Sequence, residues 1–225
     1  MLTFIQFIIH GGAVIWALTL CSVIAVTLFF YKTWQLWATL SLSSTVGDIA
    51  RSLLENNQRN KALALVDGQS NPRAKIIAST LQLFDKSSLS LNDAKAESIR
   101  IAQLLVGQLN SYLRVLEVIA TIAPLLGLLG TVLGMIEAFK AMEAAGSQVN
   151  PAILSGGIWQ ALLTTAVGMA VAIPVSIAHS WLERRVETET DKIQDDINWL
   201  FTFQTEITNK KDDNRQSVAN LQSVS

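Results

Sequence analysis

Three long stretches without a charged residue constrain the fold of this chain more than any other feature of its sequence. Residues 1–31, 118–136 and 152–178 contain no Asp, Glu, Lys or Arg. A helix needs about 20 apolar residues to cross a hydrocarbon layer roughly 30 Å thick. Only 16% of the residues are charged, whereas a soluble domain carries about 25%. The sequence therefore predicts an all-α integral membrane protein with three transmembrane helices, and it excludes a soluble globular protein.

The first stretch is predicted to be a retained membrane helix and not a cleaved signal peptide. A signal peptide has a basic n-region and small residues at its cleavage site. No basic residue precedes Lys32, and the stretch ends in the bulky residues Phe29, Phe30 and Tyr31. The alternative of a removed leader is therefore disfavoured.

The placement of basic residues predicts the orientation of the chain. The loop from Lys32 to Arg114 holds ten of the 17 Lys and Arg residues, the tail from Leu182 holds six, and the connector holds only Lys140. Because Lys and Arg accumulate on the cytoplasmic side, the loop and the C-terminus are predicted to be cytoplasmic and the N-terminus outside. The predicted layout is a first span within 1–31, a loop at 32–114, a second span at 115–139, a connector at 140–152, a third span at 153–181, a helical extension at 182–208 and a disordered tail at 209–225.

The second and third spans are predicted to extend into a cytoplasmic helical bundle. Asn71-Pro72 breaks the loop and restarts a helix. No Gly-Pro break intervenes between Asp93 and Pro124, so one helix is expected to run from the loop into the second span. The third span is expected to continue as a helix to about Thr205.

Small residues form a stripe along each of the two later spans. In lipid, such stripes let helix backbones approach closely. The predicted helix-packing residues are Ala123, Pro124, Gly127, Gly130 and Gly134 in the second span, and Gly157, Ala161, Gly168, Ala172 and Pro174 in the third. Packing alone would explain these stripes, and the hydroxyls of Thr131 and Thr165 could simply bond back to their own helix.

Several other functions find no support in the sequence. Cys21 is the only cysteine, which excludes a disulfide framework. The net charge of −1 gives no reason to expect a nucleic-acid partner. His10 and His179 lie at opposite membrane faces, so no metal site is expected. No nucleophile–base constellation indicates an enzyme, and no cofactor is expected.

The paired span motifs resemble the ExbB/TolQ/MotA proton-channel family, and the ExbB branch most closely. They are the segment Ala123-Pro-Leu-Leu-Gly-Leu-Leu-Gly-Thr-Val-Leu-Gly-Met135, the segment Gly157-Ile-Trp-Gln-Ala-Leu-Leu-Thr-Thr-Ala-Val-Gly168 and the tripeptide Ala172-Ile-Pro174. The resemblance extends over residues 11–205. A MotA-type stator has four spans, so three spans favour the ExbB and TolQ branches.

The resemblance implies a homo-oligomer, a pentamer in that family, in the bacterial inner membrane with a periplasmic N-terminus. It also implies a pore lined by Thr131, Thr165 and Gln160, where many relatives have Glu in place of Gln160. The implied partners are an ExbD-like single-span protein with an intramembrane Asp, a TonB-like protein and the lipid bilayer.

The function implied is a proton-channel subunit of a motor that energises TonB-dependent transport across the outer membrane. The alternatives are a TolQ-like subunit of the Tol-Pal envelope system and a structural scaffold that conducts no protons. A solute transporter is disfavoured because three spans without an inverted repeat provide no midplane substrate site.

Overall fold

The computed structural model describes residues 12–40, 43–85, 89–145 and 151–222 of the chain. Every regular element in these ranges is an α-helix. The helices are α1 (Gly12–Leu40), α2 (Ser43–Glu55), α3 (Arg59–Val66), α4 (Pro72–Phe84), α5 (Leu91–Asn110), α6 (Leu113–Ala145) and α7 (Pro151–Gln222). Segments of α1, α6 and α7 are long and apolar enough to cross a membrane. The prediction of an all-α protein with three membrane helices is confirmed.

The chain divides into two compact units, which we call the span unit and the bundle unit. The span unit consists of the chain up to Trp34 together with residues Ser111–Arg184. The bundle unit consists of Gln35–Asn110 together with the chain from Arg185 onward. In the span unit, Val14 and Leu18 of α1 pack with Ala123 of α6 and Ala172 of α7. The small alanines allow α1 to approach both later helices.

The bundle unit is built around an apolar core and a buried charge cluster. Ile76 and Ile77 of α4 are buried, as are Ile193, Ile197 and Leu200 of α7. The predicted restart at Asn71-Pro72 is confirmed, because the Asn71 Oδ1 accepts a hydrogen bond of 2.8 Å from the Arg73 amide and caps α4.

The charge cluster joins α4 to α7. The Arg73 Nε lies 2.7 Å from one carboxylate oxygen of Asp196, and the Arg73 Nη2 lies 3.0 Å from the other. Arg51 contacts the same carboxylate at 2.7 Å, and Asp48 contacts Arg73 at 3.1 Å. The hydrogen bonds that the Arg73 guanidinium donates to Asp196 outweigh desolvation and raise the pKa of Arg73 above its usual range. The cluster therefore holds its charges within the protein interior.

The expectation of one continuous helix from Asp93 into the second span is wrong. Helix α5 ends at Asn110 and α6 begins at Leu113, because Tyr112 adopts a left-handed backbone conformation with φ of 68°. The Tyr112 ring packs edge-on against Tyr31 at 5.8 Å, and the Lys32 Nζ donates to the Ser111 hydroxyl at 3.3 Å. These contacts with α1 favour the break at Ser111 and Tyr112.

The structure also differs from the expected disordered tail at 209–225, since α7 continues as a helix through Gln222. Extending an existing helix adds a hydrogen bond for each residue without a new nucleation step. Within the predicted connector at 140–152, residues up to Ala145 are helical and α7 begins at Pro151. Residues 146–150, like residues 1–11, lie outside the described ranges.

Candidate functional site

Glycines of α6 and α7 bring the two backbones into direct contact. A Cβ added at Gly168 would lie 2.7 Å from the Ala123 carbonyl oxygen and 3.0 Å from the Gly127 Cα. A Cβ at Gly127 would lie 3.0 Å from the Thr165 Cα. Any larger side chain at these positions would push the helices apart. The small residues thus set the distance between the two helices.

The contact extends toward the ends of α6 and α7 that face the connector. A Cβ at Gly134 would lie 3.0 Å from the Ala161 Cβ, and a Cβ at Gly157 would lie 2.5 Å from the Ala138 Cβ. Ala161, Ala123 and Ala172 are all buried. This part of the contact contains only small apolar groups.

Two threonines of α7 bond to one carbonyl of α6. The Thr164 hydroxyl lies 3.2 Å from the Gly127 carbonyl oxygen and 2.7 Å from the Ala161 carbonyl oxygen. The Thr165 hydroxyl donates to the same Gly127 oxygen at 3.1 Å. Gly130 leaves room for Thr164, whose hydroxyl would lie only 2.5 Å from an added Cβ. The Gly127 carbonyl is thus a polar point within an otherwise apolar contact.

The two threonines expected to line a pore occupy different environments. Thr131 is half-exposed, and its hydroxyl bonds to the Leu128 carbonyl of its own helix at 2.7 Å. Thr165 is also half-exposed but bonds across the helix contact. No hydrogen bond between Thr131 and Thr165 occurs among the described residues. One hydroxyl is therefore held within its helix and the other between two helices.

The remaining predicted residues, Gln160, Pro124 and Pro174, also lie on α6 and α7. Gln160 is exposed and lines a cavity of about 170 Å³ together with Ala161, Thr164 and residues of α1 and α6. Pro124 is half-buried and Pro174 is exposed, and each sits inside its helix without ending it. A proline cannot donate a backbone hydrogen bond, so each leaves the carbonyl four residues earlier without its usual helical partner.

The chemistry available in mid-span is limited to hydroxyls, amides and backbone carbonyls. No Asp, Glu, Lys, Arg or His occurs in residues 118–136 or 152–178. Hydroxyls and amides can pass hydrogen bonds along, but they do not change protonation near neutral pH. The mid-span parts of α6 and α7 therefore have no side chain of their own that titrates near neutral pH.

Sequence reasoning gave too little weight to two residues. Thr164 is not among the residues predicted to line the pore, yet it is 4% exposed and bonds to α6. Its helical spacing, three residues after Ala161 and four before Gly168, places it on the small stripe of α7 and was the available signal. Glu137 is not among the predicted site residues, but it lines the same cavity as Gln160. No local pattern predicted that arrangement.

The sequence matches the family model described as the MotA/TolQ/ExbB proton channel family over residues 69–195. This match includes the contact of α6 with α7 and both predicted pore threonines. The chain belongs to this family. The matched region covers more than half of the chain.

Individual relatives agree with that assignment. The chain is 33% identical over 196 residues to the "Biopolymer transport protein exbB1" of Vibrio cholerae. The aligned region covers 84% of this chain and 83% of that relative. It is 32% identical over 155 residues to a "Putative biopolymer transport protein ExbB homolog" of Methanothermobacter thermautotrophicus, covering 69% of this chain and 53% of that protein. The "Tol-Pal system protein TolQ" of Haemophilus influenzae is 37% identical over 90 residues, covering 40% and 38%.

Proposed function

We propose that this chain is an ExbB-type proton-channel subunit that uses the proton-motive force to energise TonB-dependent transport across a bacterial outer membrane. The observation that carries the proposal is the similarity to exbB1 over most of both chains. The arrangement of hydroxyls where α6 meets α7 supports a proton path beside those helices. Thr131, Thr165 and Gln160 are its proposed lining residues.

The chain needs a partner that supplies a titratable group. A potential of about 180 mV delivers roughly 4 kcal/mol per proton, from about 2.3 kcal/mol per 100 mV. Converting that energy into motion requires a group that is charged in one state and neutral in another. A carboxylate within the membrane has this property, because low dielectric disfavours its charged form. Since residues 118–136 and 152–178 carry none, we assign it to the Asp of an ExbD-like single-span protein, with a TonB-like protein receiving the motion.

The functional unit is proposed to be a homo-oligomer, a pentamer, in the inner membrane. Apolar side chains on the spans, such as Leu125, Leu128, Leu162 and Ile173, are exposed in the single chain. They would contact lipid or neighbouring copies.

The proposed orientation places the N-terminus in the periplasm and the loop and C-terminus in the cytoplasm. A cysteine replacing Ser147 should be labelled from outside, and cysteines replacing Asp67 and Asp195 from the cytoplasm. Labelling of the Ser147 position from the cytoplasm alone would contradict this topology.

Proton flux in liposomes tests the main proposal. We expect vesicles containing this chain and its ExbD-like partner to take up protons under an applied potential. Vesicles with the chain alone, or with a partner whose Asp is replaced by Asn, should take up few or none. Robust flux through the chain alone would refute the argument for a supplied carboxylate. Absence of flux from the complete complex would favour the non-conducting scaffold.

Threonine variants test the proposed path. Thr131→Val and Thr165→Val should fold and assemble, because valine has nearly the same volume and a side-chain hydrogen bond in a membrane contributes only about 0.6 kcal/mol. They should nevertheless lose most transport activity. Thr121→Val is the matched control, since Thr121 bonds to the Glu117 carbonyl of the same helix but lies outside the stripe. Full activity in both test variants would leave packing as the only role of the stripe.

A TolQ-like role in the Tol-Pal system is the second candidate, and the similarity to TolQ of Haemophilus influenzae supports it. That match covers only 40% of this chain, whereas the match to exbB1 covers 84%. Deletion of the gene separates the two. Loss of TonB-dependent uptake with an intact envelope supports the ExbB role, and leakage of the envelope with normal uptake supports the TolQ role.

A further inference from the structure

The cavity beside Gln160 lies within the span unit and has one ionisable side chain in its wall. Its volume is about 170 Å³, and α1, α6 and α7 all contribute to it. Glu137 and Gln160 line it together with Gly130, Gly134 and Thr164. A buried site needs about 10–15 Å³ of such space to admit one water molecule. The cavity is therefore large enough for several.

Among the residues that the structure describes, Glu137 is the only carboxylate in the wall of this cavity. It is the first ionisable residue after the apolar run at 118–136 of α6. The facing stretches 12–31 of α1 and 154–178 of α7 contain no Asp, Glu, Lys, Arg or His. The nearest charged residues in sequence, Lys140 and Glu143, are on α6 itself and do not line the cavity. Glu137 makes no hydrogen bond or ion pair with any residue that the structure describes, so its carboxylate is available.

The α7 side of the cavity adjoins the Gly127 carbonyl, which accepts hydrogen bonds between α6 and α7. Thr164 lines the cavity, and its hydroxyl lies 3.2 Å from the Gly127 carbonyl oxygen. That oxygen also accepts the Thr165 hydroxyl at 3.1 Å. Glu137 is ten residues from Gly127 along α6, a rise of about 15 Å at 1.5 Å per residue. The cavity lining follows α6 over part of this length, from Glu137 to Gly130, and Thr164 of α7 belongs both to that lining and to the bond with Gly127.

We propose that Glu137 is the proton-accepting group at the mouth of the path, and that it passes protons through the cavity beside Gln160 and Thr164. This inference rests on the proposed function. A Glu137 carboxylate oxygen takes a proton from a hydronium ion on the connector side, leaving water, and then gives it to a water molecule in the cavity, which becomes hydronium while the carboxylate is restored. The hydroxyls cannot perform this step because they do not accept a proton near neutral pH. Glu137 thus only receives and hands on the proton near the connector, and the conversion of its energy into motion stays with the partner's Asp.

Proton uptake by liposomes that contain the full chain and its ExbD-like partner provides the test. Glu137→Gln should lower the rate by on the order of a hundredfold, since a positioned proton-transfer group contributes roughly 10²–10⁴-fold. Glu137→Asp should retain most of the rate. Glu143→Gln removes the same charge from the same end of α6 without touching the cavity, and its rate should match the wild type. Equal rates for Glu137→Gln and the wild type, in vesicles where the wild type conducts, would overturn the inference.

A rescue experiment separates proton transfer from a structural role. Gln160 lines the same cavity, so Glu137→Gln combined with Gln160→Glu moves the carboxylate to another part of its wall. The combined variant should recover most of the flux lost in Glu137→Gln. A combined variant that assembles with the partner but does not conduct would contradict the role of the cavity. A wild type that fails to conduct would instead refute the proposed function, so the two failures are distinguishable.

Discussion

Replacing Asp196 by Asn should destabilise the bundle unit strongly, although the change is nearly isosteric. The Asp196 side chain has no exposed surface, and it pairs with Arg73, whose side chain is only 4% exposed. Removing one partner of a buried ion pair costs about 3–5 kcal/mol, because the other charge is left uncompensated. Asp48 still contacts Arg73 at 3.1 Å. We therefore expect the free energy of unfolding to fall by about 3 kcal/mol, the lower end of that range.

Asp195→Asn is the matched control for this prediction. It removes the same charge from the adjacent position, but the Asp195 side chain is 70% exposed and pairs only with Arg51 among the described residues. An exposed pair contributes about 0–1 kcal/mol. In a chain of this size each kcal/mol shifts the melting temperature by roughly 2–4 °C. Asp196→Asn should thus lower the melting temperature by about 6–12 °C, and Asp195→Asn by roughly 4 °C or less.

Thermal melts of the detergent-solubilised protein, followed by circular dichroism, measure the difference. Because the pKa of Arg73 is raised in the folded state, its contribution to stability is fully present below the unfolded-state pKa and is lost progressively as pH rises from there through the folded-state pKa. The difference between the wild type and Asp196→Asn should therefore not shrink between about pH 7 and 9. Combining Arg73→Met with Asp196→Leu should recover much of the stability, since no buried charge remains unpaired. Similar melting temperatures for the two Asn variants would refute the reasoning.

Two further predictions concern the span unit and the helix cap. Gly157→Ala should weaken the contact of α6 with α7 by about 1–3 kcal/mol, because the new Cβ would lie 2.5 Å from that of Ala138. Gly156→Ala should be neutral, since a Cβ there meets nothing within 4 Å, and melts that shift equally for both would contradict the packing. Asn71→Ala should cost about 1 kcal/mol through loss of the α4 cap, whereas Asn71→Asp should keep it. A melt of Asn71→Asp as low as that of Asn71→Ala would show that the cap is not the cause.

The elements that the sequence predicted well are those determined by nearby residues. Apolar length alone located the three spans, because the bilayer fixes how many residues a helix needs. The start of α4 followed from Asn71 and Pro72, whose side chains act on the next turn. The stripes of small residues could be recognised for a similar reason, since helical periodicity places residues three and four apart on one face.

What the sequence did not predict depends on contacts between distant residues. The break at Tyr112 has no Gly or Pro to mark it, and it accompanies contacts with Tyr31 and Lys32, about eighty residues earlier in the chain. The pairing of Arg73 with Asp196 joins residues 123 positions apart. In the candidate site, helical spacing placed Thr131 and Thr165 on the small stripes, but it did not show that only Thr165 bonds across the helix contact.

The close approach of α6 and α7 also bears on how the protein is made. The two helices are separated by only five residues, and their glycines lie against backbone atoms of the same chain. Such a contact needs no second subunit, so the two segments can pair as a hairpin as soon as both have left the ribosome and entered the bilayer. Synthesis of one chain is then sufficient to form this contact. A larger residue at Gly168 would therefore disturb a contact within each single chain, whether or not an oligomer forms.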